Sequence, residues 1–268
     1  LLAIMGLLIV IPVYFEKEIS VGPKTYQDHQ PSDTTIENND VDQKSRNPLP
    51  NNVEMNILAN YNLSISDATG VFIEDDRLYL GDSGTRKVTI LNIEDPQNPL
   101  FLGDFQADFQ GPIFVQNQIV FLAASDGLEI WQGNDPVNVN PLGFYSNISY
   151  IRDIEIRENY AYITSSGKLD ILNITDLSNP QYLTHIDIWC SRIMLQDDYA
   201  FLLGGDQSME PAFYAYQLNV SDPLNNTGSL QLEIIRNMPE VGDLYLNEGL
   251  LAFTDPIQGF YFYNISAM

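Results

Sequence analysis

Residues 71–80 read VFIEDDRLYL, and the same ten-residue pattern returns as IFVQNQIVFL at 113–122, IEIRENYAYI at 154–163, IMLQDDYAFL at 193–202 and LYLNEGLLAF at 244–253. In each copy the first three positions alternate as a half-buried strand does, and the last three resume an apolar strand after a polar break. The breaks are Asp75-Asp76, Asn117-Gln118, Glu158-Asn159, Asp197-Asp198 and Glu248-Gly249. Short polar side chains or a missing Cβ suit these residues to tight hairpins. A second turn signal follows at Asp82-Ser83-Gly84, Ser125-Asp126-Gly127 and Ser165-Ser166-Gly167. A third strand comes next, seen as VTILNI from Val88, LEIWQG from Leu128, LDILNI from Leu169, FYAYQLNV from Phe213 and FYFYNI from Phe260.

A turn bearing proline then leads to a fourth strand, as in EDPQNPLFLGDF, NDPVNVNPLGFY and TDLSNPQYLTHI. Proline is excluded from central ladder positions, so its recurrence punctuates the unit. The anchors Val71, Ile113, Ile154, Ile193 and Leu244 lie 42, 41, 39 and 51 residues apart. Four short strands in ~40 residues make a unit the size of one propeller blade. The long last interval marks insertions around Gly204 to Pro211 and Asn225 to Ser229. The expected fold is therefore all-β: a β-propeller of about five four-stranded blades over residues 53–268, because sheets this small bury their faces only by stacking. Residues 54–62 (EMNILANYN) resemble a fourth strand lacking its first three, while the last unit shows three strands and no fourth. Pairing the two closes the ring and hides edges that otherwise invite aggregation.

Residues 90–103 (ILNIEDPQNPLFLG), 171–183 (ILNITDLSNPQYL) and the looser 216–223 (YQLNVSDP) resemble LVIVD repeats, whose blades centre on an apolar run, an Asp, a Val-Ser-type pair and an Asn/Asp-Pro turn. The resemblance covers about Glu54 to Met268 and implies a β-propeller that is typically extracytoplasmic or at the cell surface. It implies no shared reaction or ligand. The chain departs from the pattern by carrying Asn92, Asn173, Asn219 and Asn264 where the family usually has Asp, and Gln132-Gly133-Asn134 in the second blade.

Upstream of the repeats the composition changes twice. Residues 1–15 (LLAIMGLLIVIPVYF) are an uninterrupted apolar run ending at Glu16-Lys17-Glu18. This reads as a signal anchor or a cleaved signal peptide. No small-residue cleavage site stands at Pro12-Val13-Tyr14-Phe15, which favours the anchor, and either reading places the remainder outside the cytoplasm. Residues 16–52 are polar and lack periodic apolar positions, as in a disordered linker.

The 268 residues carry 12 Lys plus Arg against 36 Asp plus Glu, a formal charge of −24. Such a field repels phosphate backbones, which argues against nucleic acid as a partner. A single cysteine, Cys190, excludes an intrachain disulfide and multi-cysteine zinc sites, and beside Trp189 it reads as a small buried apolar residue. No D-x-D-x-D-G calcium loop is present, no metal or cofactor is expected, and oligomeric state is not legible.

Candidate ligand contacts lie in the loops that lead into each first strand, which shape the mouth of a propeller's central channel. These loops contain Asp67, Asp108, Phe109, Tyr150, Arg152, Asp153, Trp189, Arg192, Glu240 and Asp243. From Val53 onward there are 8 basic and 29 acidic residues, so Arg152 and Arg192 before consecutive first strands stand out. They suit a clamp for a carboxylate or sugar with Tyr150 and Trp189 as stacking faces, the competing account being that each arginine pairs with an acid such as Asp153 or Asp187. Six N-x-S/T sequons, at Asn62, Asn147, Asn173, Asn219, Asn225 and Asn264, are candidate glycan acceptors. The lone histidine of the repeats, His185, alternates with apolar neighbours as an outer-strand residue rather than a general base. The expected function is that of a non-catalytic platform for a protein or glycan ligand. The alternative is an enzyme acting on carbohydrate or polyuronate through Asp67, Asp108, Asp153 and Asp243.

Overall fold

The structure is a computed structural model that describes residues 65–197, 199–205, 211–217, 229–236, 244–247, 250–255 and 259–264. The described residues lie in one compact unit, Leu63–Met268. The apolar segment 1–15, the linker 16–52 and the expected closing strand 54–62 fall outside them.

The described residues contain strands and turns only, arranged as antiparallel sheets in simple sequence order. Sheet 1 holds β1 (Ala68–Glu74), β2 (Arg77–Asp82), β3 (Lys87–Asn92) and β4 (Leu100–Gln106). Sheet 2 holds β5 (Phe109–Gln116), β6 (Ile119–Ala124), β7 (Gly127–Gln132) and β8 (Asn140–Ser146). Sheet 3 holds β9 (Asp153–Arg157), β10 (Tyr160–Ser165), β11 (Lys168–Asn173) and β12 (Gln181–Asp187). Sheet 4 holds β13 (Trp189–Gln196), β14 (Tyr199–Gly205), β15 (Pro211–Gln217) and β16 (Ser229–Arg236), and sheet 5 holds β17 (Leu244–Asn247), β18 (Leu250–Asp255) and β19 (Gly259–Asn264). These are sheets of the propeller-blade kind. No helix among the described residues is long and apolar enough to cross a membrane.

Turn chemistry explains the sheet boundaries. The first residue of the β1–β2, β5–β6, β9–β10 and β13–β14 turns is left-handed, with φ of 51° at Asp75, 52° at Asn117, 52° at Glu158 and 51° at Asp197. Positive φ at that position gives a hairpin whose twist matches the flanking strands. Between third and fourth strands, Asp95, Asp135 and Asp176 each accept from the amide two residues on, at 3.0, 3.1 and 3.0 Å, while their carbonyls accept from Asn98, Asn138 and Asn179. The motif Asp in these turns is thus a turn builder.

Side chains on second strands are buried on both faces, which accounts for their continuous apolar runs. On β6, Val120 and Leu122 join Tyr79, Ile90 and Phe109 in a core between sheets 1 and 2, while Phe121 and Ala123 join Ile130, Ile154 and Ile163 between sheets 2 and 3. On β10, Tyr162 turns the other way and meets Ile171, Cys190, Ile193 and Leu202 between sheets 3 and 4. Each successive first strand touches the last, β1 with β5, β5 with β9, β9 with β13 and β13 with β17. The fourth strands of sheets 1 to 3 form an exposed margin, where Leu100, Phe101, Phe144 and Tyr182 face solvent.

Glycine lets neighbouring sheets approach along that margin. A Cβ on Gly103 would lie 2.1 Å from the Pro136 carbonyl oxygen, and one on Gly143 1.9 Å from that of Leu177. The proline-bearing turns of sheets 2 and 3 therefore dock on a glycine of the preceding fourth strand.

First strands start earlier than the alternating pattern suggests. Phe109, Asp153, Trp189 and Arg192 belong to β5, β9 and β13 rather than to connecting loops. The register shifts between Ala68 and Gly70, Phe109 and Ile113, and Cys190 and Arg192 supply the reason, because a bulge breaks the period-two signal while pairing continues. Gly204 and Pro211, expected in an insertion, are strand residues of β14 and β15.

Candidate functional site

At the loop ends leading into the first strands, the described acids are engaged within the fold. Asp67 accepts from the Ser83 hydroxyl at 2.8 Å and, through its carbonyl, from the Ser83 amide at 2.9 Å. Asp108 accepts from the amide and hydroxyl of Ser125 and pairs with Arg86 at 3.1 Å. The Ser125 hydroxyl, outweighing desolvation, holds the Asp108 carboxyl below its ordinary range. Asp153 accepts from the Ile154 amide at 3.0 Å and, across the sheet boundary, from the Ile193 amide at 2.9 Å. Asp243 lies outside the described residues. Among the described residues no cluster of three or more His, Cys, Asp or Glu side chains could hold a metal ion.

Asp82, absent from the sequence-based candidates, is the most heavily hydrogen-bonded of these acids. It receives the amides of Ser66, Asp67, Gly84 and Thr85 at 3.0, 3.0, 3.0 and 3.2 Å. Desolvation opposes its ionisation, but those donors hold the carboxyl well below the ordinary range. Its sequence signal is the Asp-Ser-Gly turn itself, in which Asp tethers the following amides.

Arginines and aromatic rings behave differently from the acids. The Arg152 guanidinium carbon stands 5.6 Å from the centroid of the Trp189 ring. Arg152 is exposed, and its guanidinium has no carboxylate partner among the described residues. The expected competitor is thus displaced for this arginine, with Asp153 on backbone amides and Asp187 beside His185 at 3.3 Å. Arg192 donates through Nη1 to the Ser191 carbonyl at 3.0 Å and the Arg152 carbonyl at 3.4 Å, so it braces the loop that carries Arg152. The Arg152 amide in turn donates to the Thr164 carbonyl at 2.9 Å.

Trp189, the first residue of β13, keeps 42% of its surface exposed. Its indole lies over Gly167, where φ is +79° and a Cβ would come within 3.1 Å of Nε1. Glycine is needed there both for the backbone and for the ring. Tyr150 is 78% exposed and has a φ of 56°, the one aromatic residue among the positive-φ positions of the described chain. The structure thereby joins Arg152, Trp189 and Arg192 into one constellation at the ends of sheets 3 and 4, with Tyr150 two residues upstream of Arg152.

Glu155 was also not singled out by the sequence. It occupies the middle of the β9 pattern, where other first strands carry Phe72, Phe114, Met194 and Tyr245. Ile154 and Ile156 face sheet 2, so Glu155 points with Asp153 toward sheet 4. Desolvation first, and then the like charge of Asp153, push its carboxyl up to about 8. Cys190 is buried as expected, and burial pushes its thiol up to about 12. His185 stands exposed on β12 against Tyr182 and Asp187, an outer-strand residue.

Of the sequons, Asn147 is exposed just after β8 with φ of 76°, whereas Asn173 ends β11 with Oδ1 accepting from the Thr175 amide at 2.8 Å. Asn264 ends β19, and Asn62, Asn219 and Asn225 lie outside the described residues.

Comparison with known proteins adds family and fold. No curated protein matches the chain. Among solved structures it is similar to the computationally designed Ika8 protein, with 14% identity and a TM-score of 0.57 over 78% of this chain and 62% of that one. It is also similar to Kluyveromyces lactis Hsv2, with 9% identity and a TM-score of 0.54 over 74% of this chain and 61% of that one. The chain thus spans less than two thirds of either relative, and at these identities the likeness is one of fold alone. The family profile of the LVIVD repeat matches residues 149–187, the span of β9 to β12. The match falls on sheet 3 and supports the LVIVD-repeat family to which these repeats were likened.

Proposed function

We propose that this protein is a β-propeller of about five blades, held outside the cytoplasm by its apolar amino-terminal segment, and that it works as a binding platform rather than a catalyst. Two observations support the ring. First strands adjoin one another in order along one side. Leu78, Leu80 and Leu91 of sheet 1 are buried at 0%, 3% and 0% exposure yet belong to none of the three described cores, as a sheet flanked on both faces requires.

The observation that carries the binding role is the exposed Arg152 on Trp189, a cation without an acidic partner among the described residues in a chain of −24 charge. A surface this rich in carboxylates offers such an arginine many partners, so its stacking on an exposed ring fits a contact surface. Asp67, Asp108 and Asp153, by contrast, already serve turns and sheet junctions.

Protein carrying Asp67→Asn, Asp108→Asn, Asp153→Asn and Asp243→Asn separates the alternatives on a glycan and peptide array run beside a polysaccharide-degradation panel. A platform retains its array ligand in the quadruple variant and releases no product in either form. Product release by the parent that is lost in the variant overturns the reading in favour of an enzyme. Neither binding nor release overturns it in favour of a purely structural role. The tether is read separately: protein lacking residues 1–15 leaves the membrane fraction.

A further inference from the structure

We propose that the Arg152–Trp189 constellation is a binding site for a sugar bearing a single carboxylate, of the hexuronic-acid class, at the end of a short glycan. The proposal rests on the platform reading and specifies its ligand. Three features of the geometry carry it.

The first is the state of Arg152. A guanidinium over an indole face is held by cation–π attraction, and its N–H donors match the two oxygens of a carboxylate. Here the Arg152 guanidinium carbon lies over the Trp189 ring, 5.6 Å from its centroid, and no acid among the described residues pairs with it. The cation is thus placed beside the indole with its donors unclaimed by any described carboxylate.

The second is the way the site is held. Gly167 at φ +79° seats the indole, Arg192 braces the Arg152 carbonyl and the Arg152 amide is fixed on Thr164. Tyr150 is held in the left-handed region, at a cost of about 1 kcal/mol for a residue of this kind, with its ring in solvent. Strain that presents an aromatic ring to water is what a stacking face needs.

The third decides between ligand classes. Main-chain groups beside the rings are already bonded: the Arg152 amide, the Arg152 carbonyl and the Ser191 carbonyl. An extended peptide, which binds largely through main-chain hydrogen bonds, finds few left to use. A pyranose ring needs only an aromatic face for its C–H surface and one charged partner for its carboxylate. The −24 charge further favours one carboxylate over many, because repulsion from the whole chain grows with ligand charge.

The test uses the full chain with Trp131→Phe. The protein has 2 tryptophans, so Trp189 becomes the sole indole reporter. The probes are a tetrasaccharide ending in glucuronate, the same tetrasaccharide ending in glucose, and a tetrapeptide with a free carboxyl terminus. The glucuronate probe should change Trp189 emission saturably, the glucose probe should bind at least tenfold more weakly, and the peptide should not compete. Arg152→Gln should weaken the glucuronate probe tenfold or more at unchanged melting temperature, and Arg152→Lys should recover part of that loss, since it keeps the charge without the planar fork. Calorimetry on Tyr150→Ser, independent of the indole, should show several-fold weakening.

Equal binding of the glucose probe, or equal binding after Arg152→Gln, overturns the carboxylate assignment. Competition by the peptide overturns the sugar. If the glucuronate probe fails while another array ligand is bound, this site assignment falls and the platform reading stands. If no ligand of any kind is bound, both fall.

Discussion

Replacing Glu155 by glutamine tests the arrangement between sheets 3 and 4 most directly. The carboxyl, ordinarily near 4.5, is pushed up to about 8 by desolvation and by Asp153. Between those values the unfolded chain is ionised at this position while the folded chain holds its proton. The native state therefore binds more protons, and stability falls as pH rises from about 4.5 to about 8, then levels off. Each tenfold change in proton affinity is worth about 1.4 kcal/mol, so the full separation sets a ceiling of about 5 kcal/mol on the loss. Glu155 is only half-buried, and screening by water brings the expected loss to about 2 to 3 kcal/mol. Glutamine keeps the shape and removes the titration. Urea unfolding of parent and Glu155→Gln at pH 5, 6, 7 and 8 should give similar midpoints at pH 5 and a widening advantage for the variant toward pH 8. The difference between the two proteins cancels every other titrating group they share. Parallel pH profiles, or a parent that gains on the variant as pH rises, would refute the placement of Glu155 against sheet 4.

Two further predictions probe packing. Gly143→Ala forces a Cβ to within 1.9 Å of the Leu177 carbonyl and should cost about 2 to 4 kcal/mol, whereas Gly111→Ala, where the nearest atoms stand at 3.4 Å, should cost under about 1; thermal melts that rank the pair the other way would reject the docking of turn on glycine. Cys190, with its thiol pushed up to about 12 and 1% exposed, should resist maleimide at pH 8 in the folded protein and react rapidly in urea; equal rates in both states would contradict its burial.

The blade unit was legible in the sequence because its information is local. Period-two alternation, a two-residue turn and an Asp-led turn are each set within a few residues, and Val71, Ile113, Ile154, Ile193 and Leu244 all fall in first strands. The starts of those strands were not legible, since a bulge shifts the register without changing the residue types that pair. Glu155 was hidden for a related reason. The middle of an apolar, variable, apolar pattern reads as solvent-facing, but on an inner strand with sheets on both sides neither face is free.

The candidate site divides along the same line. Its residue types, two arginines and two aromatic rings in an acidic chain, could be picked out by composition and by their places before consecutive first strands. Whether each arginine met an acid or a ring depended on how sheet 3 stands against sheet 4, and no short-range rule fixes that. Arg152 lies 37 residues from Trp189 in the chain, and Arg192 reaches back 40 to brace it. A repeating four-stranded β-unit follows from the order of residues alone, because strand pattern and turn chemistry act between neighbours. That Arg152 stands over an exposed indole, with no described carboxylate paired to it, and that the acids serve turns instead, follows from contacts that exist only once the sheets are stacked.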